Sequence, residues 1–167
     1  MIPPWVIALL ALGTAALFAA MGAISWVHLM PDGALILDAR WTGYTASDVA
    51  TYFMALGPLG ISKYAGPLHV LDTVFPAMLA ITLAACVLRA SRPWRQWTRL
   101  LLLVAPAGYA VIDYGENALV AELLRNWQGP LDPATVMLAS RFTVTKYVLL
   151  GATVAIWLGL MLGRRKG

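Results

Sequence analysis

Four stretches of this chain, roughly residues 4–28, 67–89, 98–124 and 134–163, are each long and apolar enough to cross a lipid bilayer. A helix spans the hydrocarbon with about 20 mostly apolar residues, and lipid tolerates no unpaired backbone. The feature therefore predicts an all-α fold: a four-transmembrane-helix bundle forming a single integral membrane domain over residues 1–167. Composition agrees. Of the residues, 60% are hydrophobic and 12% charged, with mean hydropathy +0.75, whereas soluble domains average about 45–50% and about 25%. The first stretch lacks a basic leader, and its apolar run is about twice that of a signal-peptide core, so it reads as an uncleaved helix. No internal repeat or low-complexity tract stands out.

Lys and Arg set the orientation. "RASRPWRQWTR" carries Arg89, Arg92, Arg95 and Arg99, and "RRKG" carries Arg164, Arg165 and Lys166, together seven of the 12 basic residues. By the positive-inside rule both groups are cytoplasmic. The expected location is then the cytoplasmic (inner) membrane, multi-pass, with both termini cytoplasmic and segments 29–66 and 125–133 outside. Trp5, Trp94 and Trp97 fall at the inner boundary and Trp26 and Trp127 at the outer one, as aromatic belts do. Topology thus accounts for the arginine run, and nucleic-acid binding is not implied. Cys86 is the one cysteine, which excludes an intramolecular disulfide, a thiolate metal cluster and thiol–disulfide exchange by a cysteine pair.

The outer connection, 29–66, is too long for a simple turn. Within "SDVATYFMALG", Ser47 reads as an N-cap, Val49, Tyr52, Phe53 and Leu56 share a helical face, and Gly57-Pro58 stops the run. This predicts a short amphipathic helix in the first outer loop, lying over the bundle mouth or packed on loop ends.

The spans also carry charge. With a rise of about 1.5 Å per residue, Asp72 and Glu116 lie about 25 Å above the inner arginines, Lys146 about 27 Å and Asp113 about 21 Å. His69, Arg141 and His28 sit slightly higher, at the outer interface. In "DYGEN", Asp113, Glu116 and Asn117 have i, i+3, i+4 spacing and share one face, as do His69, Asp72 and Pro76 on the second span and Thr143, Lys146 and Tyr147 on the fourth. Turned to lipid, each charge would cost roughly 2.5–3.5 kcal/mol, and four together roughly 10 kcal/mol, comparable to a domain's stability. They must face inward and meet. The expected site is a polar pocket in the outer third of the bilayer. Gly151, Ala155, Gly159 and Gly163, and Ala11, Ala15, Ala19 and Ala23, form small-residue stripes suited to close helix contact. Pro76 and Pro106 are expected to kink their helices and free carbonyls to line the pocket.

"GYT" (43–45), "LDTVFP" (71–76), "DYGEN" (113–117) and "TVTK" (143–146) together resemble a pattern in small bacterial four-helix integral membrane proteins of uncharacterised function. The resemblance implies that these residues belong together, and it brings no activity with it.

Two readings of the pocket follow. In one, Asp72, Asp113, Glu116, Lys146 and Arg141 form a buried ion-pair network that specifies how the helices dock. That network leaves three carboxylates facing one lysine unless Arg141 bends inward or a proton stays bound. In the other, the surplus negative charge equips the pocket as an acid/base or proton-linked site. Glu116 and Asp113 are then the candidate acid/base pair, Asp72 pairs with Lys146, and Asn117 orients a ligand. Lys146, Tyr147, His69 and Arg141 complete the binding wall. The ligand expected is a small amphipathic or lipid-like molecule, bound or turned over, so the chain is read as enzyme or carrier alike. A different class is an accessory or assembly subunit, a homo-oligomer or partner of another membrane subunit. No cofactor is expected. His28, His69, Asp72, Asp113 and Glu116 supply metal-type ligands, but no H-x-x-x-H, H-E-x-x-H or E-x-x-H pair occurs, and metal is the weakest of the readings. There is no G-x-S-x-G nucleophile, and no inverted repeat suggests a transporter.

Overall fold

The computed structural model describes residues 2–164, mostly helical and without strands among them. Arg165 and Lys166, two of the residues expected to mark the inner edge, lie outside the described residues. The helices are α1 (Pro4–His28), α2 (Ala46–Lys63), α3 (His69–Ala90), α4 (Gln96–Leu101), α5 (Val104–Arg125) and α6 (Pro133–Arg164). A π-helical turn, Tyr64–Leu68, joins α2 to α3 without a break. Three helical stretches are long and apolar enough to cross a membrane: Pro4–His28, Ala46–Ala90 and Pro133–Gly163. The third expected span is not among them. Asp113, Glu116, Glu122 and Arg125 lower the hydropathy of α5, and a turn at Leu102 and Leu103 interrupts the helix, so α4 stands apart.

Polarity is inverted relative to a water-soluble bundle. The buried residues of α1 are Thr14 and Ser25, while Leu9, Leu12, Phe18 and Trp26 are exposed. On α5, Asp113, Glu116 and Asn117 are buried and Val111 is exposed; on α6, Thr143, Lys146 and Thr153 are buried and Val148, Leu158 and Leu162 are exposed. In water this arrangement wastes apolar burial and costs desolvation of the polar groups. Thr14 and Thr82 join α1 to α3 through hydroxyls 2.9 Å apart. Each hydroxyl also reaches its own helix, Thr14 to the Leu10 carbonyl and Thr82 to that of Met78. Two protons serve three contacts, so one proton is shared between the hydroxyl and carbonyl acceptors.

At the end away from the arginines, segment 29–66 builds an ordinary apolar core. Val49, Tyr52 and Phe53 of α2 pack with Leu29, Leu37, Tyr64 and Leu68 and with Val120, Leu123, Leu124, Val136 and Ala139 from α5 and α6. Tyr52 Oη donates to the Leu29 carbonyl at 2.8 Å, tying α2 to the end of α1. The N-cap of α2 is Thr45, and not Ser47: Thr45 and Asp48 form a reciprocal capping box. Asp48 three residues on from Thr45 is the capping-box spacing that fixes the choice. Gly57 leaves helical geometry, with φ 61 and ψ −177, and Pro58 starts the next helical turn rather than ending the run. Its fixed φ and missing N–H suit a first turn.

α6 begins after Asp132, whose carboxylate accepts from the backbone of Ala134 and Thr135 and from the Thr135 hydroxyl. The Thr135 contacts hold the carboxyl below the usual carboxylate range. A depressed pKa stabilises the helix start above the ordinary range, and that contribution is lost as pH falls through the lowered value.

The proline expectations divide. Pro106 sits in the first turn of α5, where a missing N–H costs nothing, so it kinks no helix near the pocket. Pro76 lies inside α3 and cannot donate to the carbonyl of Asp72. Asn117 Nδ2 donates to that carbonyl at 3.1 Å, which couples α5 to α3 at the freed position.

Candidate functional site

The four sequence stretches meet at one level. Lys146 on α6 is 7% exposed, Asp113 1% and Glu116 0%. The ammonium lies 2.7 Å from Glu116 Oε2, 3.2 Å from Asp113 Oδ1 and 3.9 Å from Asp38 Oδ1. The contact to Glu116 is the shortest of the three, and that to Asp113 is also a hydrogen bond donated by the ammonium. Glu116 Oε1 accepts from Thr143 Oγ1 at 2.6 Å. The same hydroxyl lies 3.1 Å from the Ala139 carbonyl and 3.5 Å from Tyr44 Oη. One proton cannot serve all three, and the short carboxylate contact holds it. Tyr44 is fixed by its backbone N–H, which donates to Ser140 Oγ at 2.8 Å. Burial raises the Tyr44 phenol well above its ordinary range, so it stays neutral.

Asp38 is the residue that sequence reasoning missed. It sits in a short 3-10 turn, Leu37–Ala39, that dips from the outer segment onto Lys146. Tyr64 Oη donates to Asp38 Oδ2 at 2.6 Å, and Tyr147 Oη donates to the Asp38 carbonyl at 3.1 Å. The signal was present as an acid embedded in "LILDA", at the end of an apolar run between Gly33 and Arg40.

Three expectations need correction. Asp72 does not pair with Lys146. The lysine is taken by Glu116, Asp113 and Asp38, and the Asp72 carboxylate has no ion pair or hydrogen bond among the described residues. Arg141 does not bend inward: it is exposed on a separate surface groove with Thr42, Thr45, Asp48 and Ser140. The small-residue stripe on α6 does not pack. Gly151, Ala155 and Gly159 are exposed, and Cβ atoms at the two glycines would meet nothing within 4 Å. His69 is half-buried and, among the described residues, enters the network only through its carbonyl, which accepts from Thr73. His28 is exposed. Among the described residues no three of His, Cys, Asp and Glu form a metal-holding group; the ammonium of Lys146 occupies the centre of the acids.

Beside this cluster lies a cavity of about 650 Å³. Its polar end is Asp38, Asp72, Asp113, Lys146, Tyr109 and Tyr147. Its remaining wall is mostly apolar, including Ala15, Phe18 and Met21 of α1, Phe75, Leu79 and Leu83 of α3, and Leu150 and Val154 of α6. Glu116 and Asn117 are not among the lining residues: Glu116 is sealed between α5 and α6, and Asn117 serves the α3 backbone. α1 packs against α3 and forms no packed pair with α6, so the cavity runs between them. The carboxylates that meet its contents are Asp38, Asp72 and Asp113. They can accept hydrogen bonds, bind positive charge or exchange a proton with a bound group.

Fold and site define a helical protein with membrane-length apolar helices, built around an acid-rich cluster that opens into an amphipathic cavity. No protein-family model, curated protein or solved structure matches the chain. Its function is therefore argued from the site alone.

Proposed function

We propose that this chain is an integral membrane protein of the cytoplasmic (inner) membrane that binds or turns over a small amphipathic molecule in the outer leaflet. The observation that carries the reading is the cavity, polar at one end and apolar along the rest, on the side where α1 and α6 do not pack. Its size is that of small-molecule sites. The inverted polarity of α1, α5 and α6 supports lipid as the surrounding solvent, because only there does an exposed Leu or Phe cost nothing. In this reading α5 is the fourth span. Its acids are tolerated because Lys146 and Thr143 meet them, while its Asn117 amide donates to the Asp72 carbonyl. Arg89, Arg92, Arg95 and Arg99 lie at the opposite end from the cluster, which favours both termini on the cytoplasmic side. Two single-cysteine variants on a Cys86→Ser background, at Asp32 and Gln96, should label from opposite faces of sealed vesicles; labelling from one face would sink the topology.

The site is tested by filling it. Native mass spectrometry of the purified protein should show a retained amphiphile, and Leu83→Trp, which fills the apolar wall, should lose it with helical content unchanged. Equal retention by both proteins would remove the cavity as the binding site.

One observation favours a second reading, an accessory subunit in which the charges serve only to dock helices. The exposed Gly151, Ala155, Gly159 face of α6 is suited to another membrane helix or a second copy of this chain. That reading predicts an oligomer or co-purifying subunit disrupted by Gly151→Leu, and no effect of Leu83→Trp on assembly.

A further inference from the structure

The cavity's charge specifies its ligand further, given the reading above that an amphiphile occupies it. Half of the chain's 8 acidic residues, Asp38, Asp72, Asp113 and Glu116, surround a single cation, Lys146. That ammonium is already committed to three carboxylates. An anionic head group would find no free positive charge and would face Asp72 across the cavity. A cationic head meets the opposite situation. The Asp72 carboxylate lines the wall without an ion pair or hydrogen bond among the described residues, and Asp38 Oδ1 is buried without a hydrogen bond. A half-buried carboxylate without a counter-ion is costly, and a ligand that brings the missing charge recovers that cost on binding.

The walls fit the same occupant. Phe75 lies one helical turn from Asp72 on the same face of α3, and its ring centroid lies 6.0 Å from that of Phe18 across the α1–α3 seam, the planes tilted by 32°. Aromatic faces beside an acid suit an ammonium or quaternary nitrogen, which gains from the ring quadrupole as well as from the charge. Below them Leu79, Thr82 and Leu83 continue the line along α3. From Asp72 to Leu83 the helix rises about 16 Å, the reach of a medium alkyl chain. Ala11, Ala15 and Gly22 leave width for that chain along α1.

We infer that the cavity takes a single-chain amphiphile with a positively charged head, held by Asp72, whose tail lies between α1, α3 and α6. The test uses protein in neutral-lipid nanodiscs and four dodecyl probes: the trimethylammonium, the glucoside, the phosphocholine and the carboxylate. Tetramethylammonium serves as the tail-less control. The trimethylammonium should bind about tenfold or more tighter than the glucoside and the carboxylate, the effect of one charge-assisted contact. Asp72→Asn should erase that preference, bringing the trimethylammonium down to the affinity of the glucoside, and Asp72→Glu should keep it.

Equal binding of all heads, blocked by Leu83→Trp, would overturn the cationic inference and leave the amphiphile reading standing. Preference for the carboxylate would overturn it too, as would tetramethylammonium binding as tightly as the tailed probe. Absence of binding by every probe would remove both readings. Should Asp72→Asn not fold, the wild-type ranking of heads together with Asp72→Glu decides.

Discussion

Replacing Lys146 by Met is expected to destabilise the protein by about 3–5 kcal/mol, the cost of stranding buried partners of an ion pair. Methionine nearly matches the lysine in length, so the loss is electrostatic rather than a cavity effect. Asp113 and Glu116, 1% and 0% exposed, would lose their ammonium together, and Asp38 its nearest one. The measurement is unfolding in detergent, followed by helical circular dichroism. A second substitution, Glu116→Gln in the Lys146→Met background, removes one stranded charge and should recover part of the loss. Non-additivity between the two is the signature of a shared network. An unchanged midpoint for Lys146→Met would refute the geometry of the cluster. Asp72→Asn sets the contrast. Its carboxylate is outside the ion-pair network, so stability should hold or rise, as for a residue kept for binding rather than folding. If Asp72→Asn, Glu116→Gln and Lys146→Met all collapse, the acids are structural together and the accessory-subunit reading gains.

Much of this arrangement was legible in the sequence because two simple periodicities carry it. Hydropathy located α1, α3 and α6 close to their observed limits. Counting residues at helical rise placed Asp113, Glu116 and Lys146 at one depth, and the shared face of Asp113, Glu116 and Asn117 is the buried face of α5. Pairing was less legible, because periodicity says which face is polar and not which neighbour it meets. Asp72 and Lys146 share a depth, yet α5 is the closer partner of α6 and its acids claim the lysine. Asp38 was beyond a count of helical rise, since a loop has no fixed rise; only the fold of the outer segment brings it down onto Lys146. The small-residue stripes misled for a related reason. A run of glycine and alanine permits close approach, but a partner must be there, and against the Gly151 and Gly159 positions of α6 none lies among the described residues. Where helices do crowd, an isolated glycine marks the place.

That glycine is Gly115, in the centre of "DYGEN", and its replacement gives the second large effect. A Cβ there would lie 2.5 Å from Phe142 Cε2 and 2.9 Å from Cδ2. Gly115→Ala should therefore cost about 1–3 kcal/mol through overpacking, against a helix-propensity gain of about 1 kcal/mol that alanine brings at an unobstructed site. The two effects have opposite signs, so the same substitution at exposed Gly151, where nothing lies within 4 Å, should be neutral or stabilising. Phe142→Leu in the Gly115→Ala background removes the obstructing ring edge and should recover part of the loss. The consequence reaches the site because Gly115 adjoins Glu116 and Phe142 adjoins Thr143, the pair joined at 2.6 Å. Pushing α5 from α6 opens that contact and the Lys146 ion pair with it. Gly115→Ala should thus lower stability and weaken the coupling between Lys146→Met and Glu116→Gln. Loss of stability with that coupling intact would mean that the ring rotates aside and the cluster holds its own geometry. A Gly151→Ala variant as damaging as Gly115→Ala would instead show that the outward face of α6 is packed against a second copy or subunit.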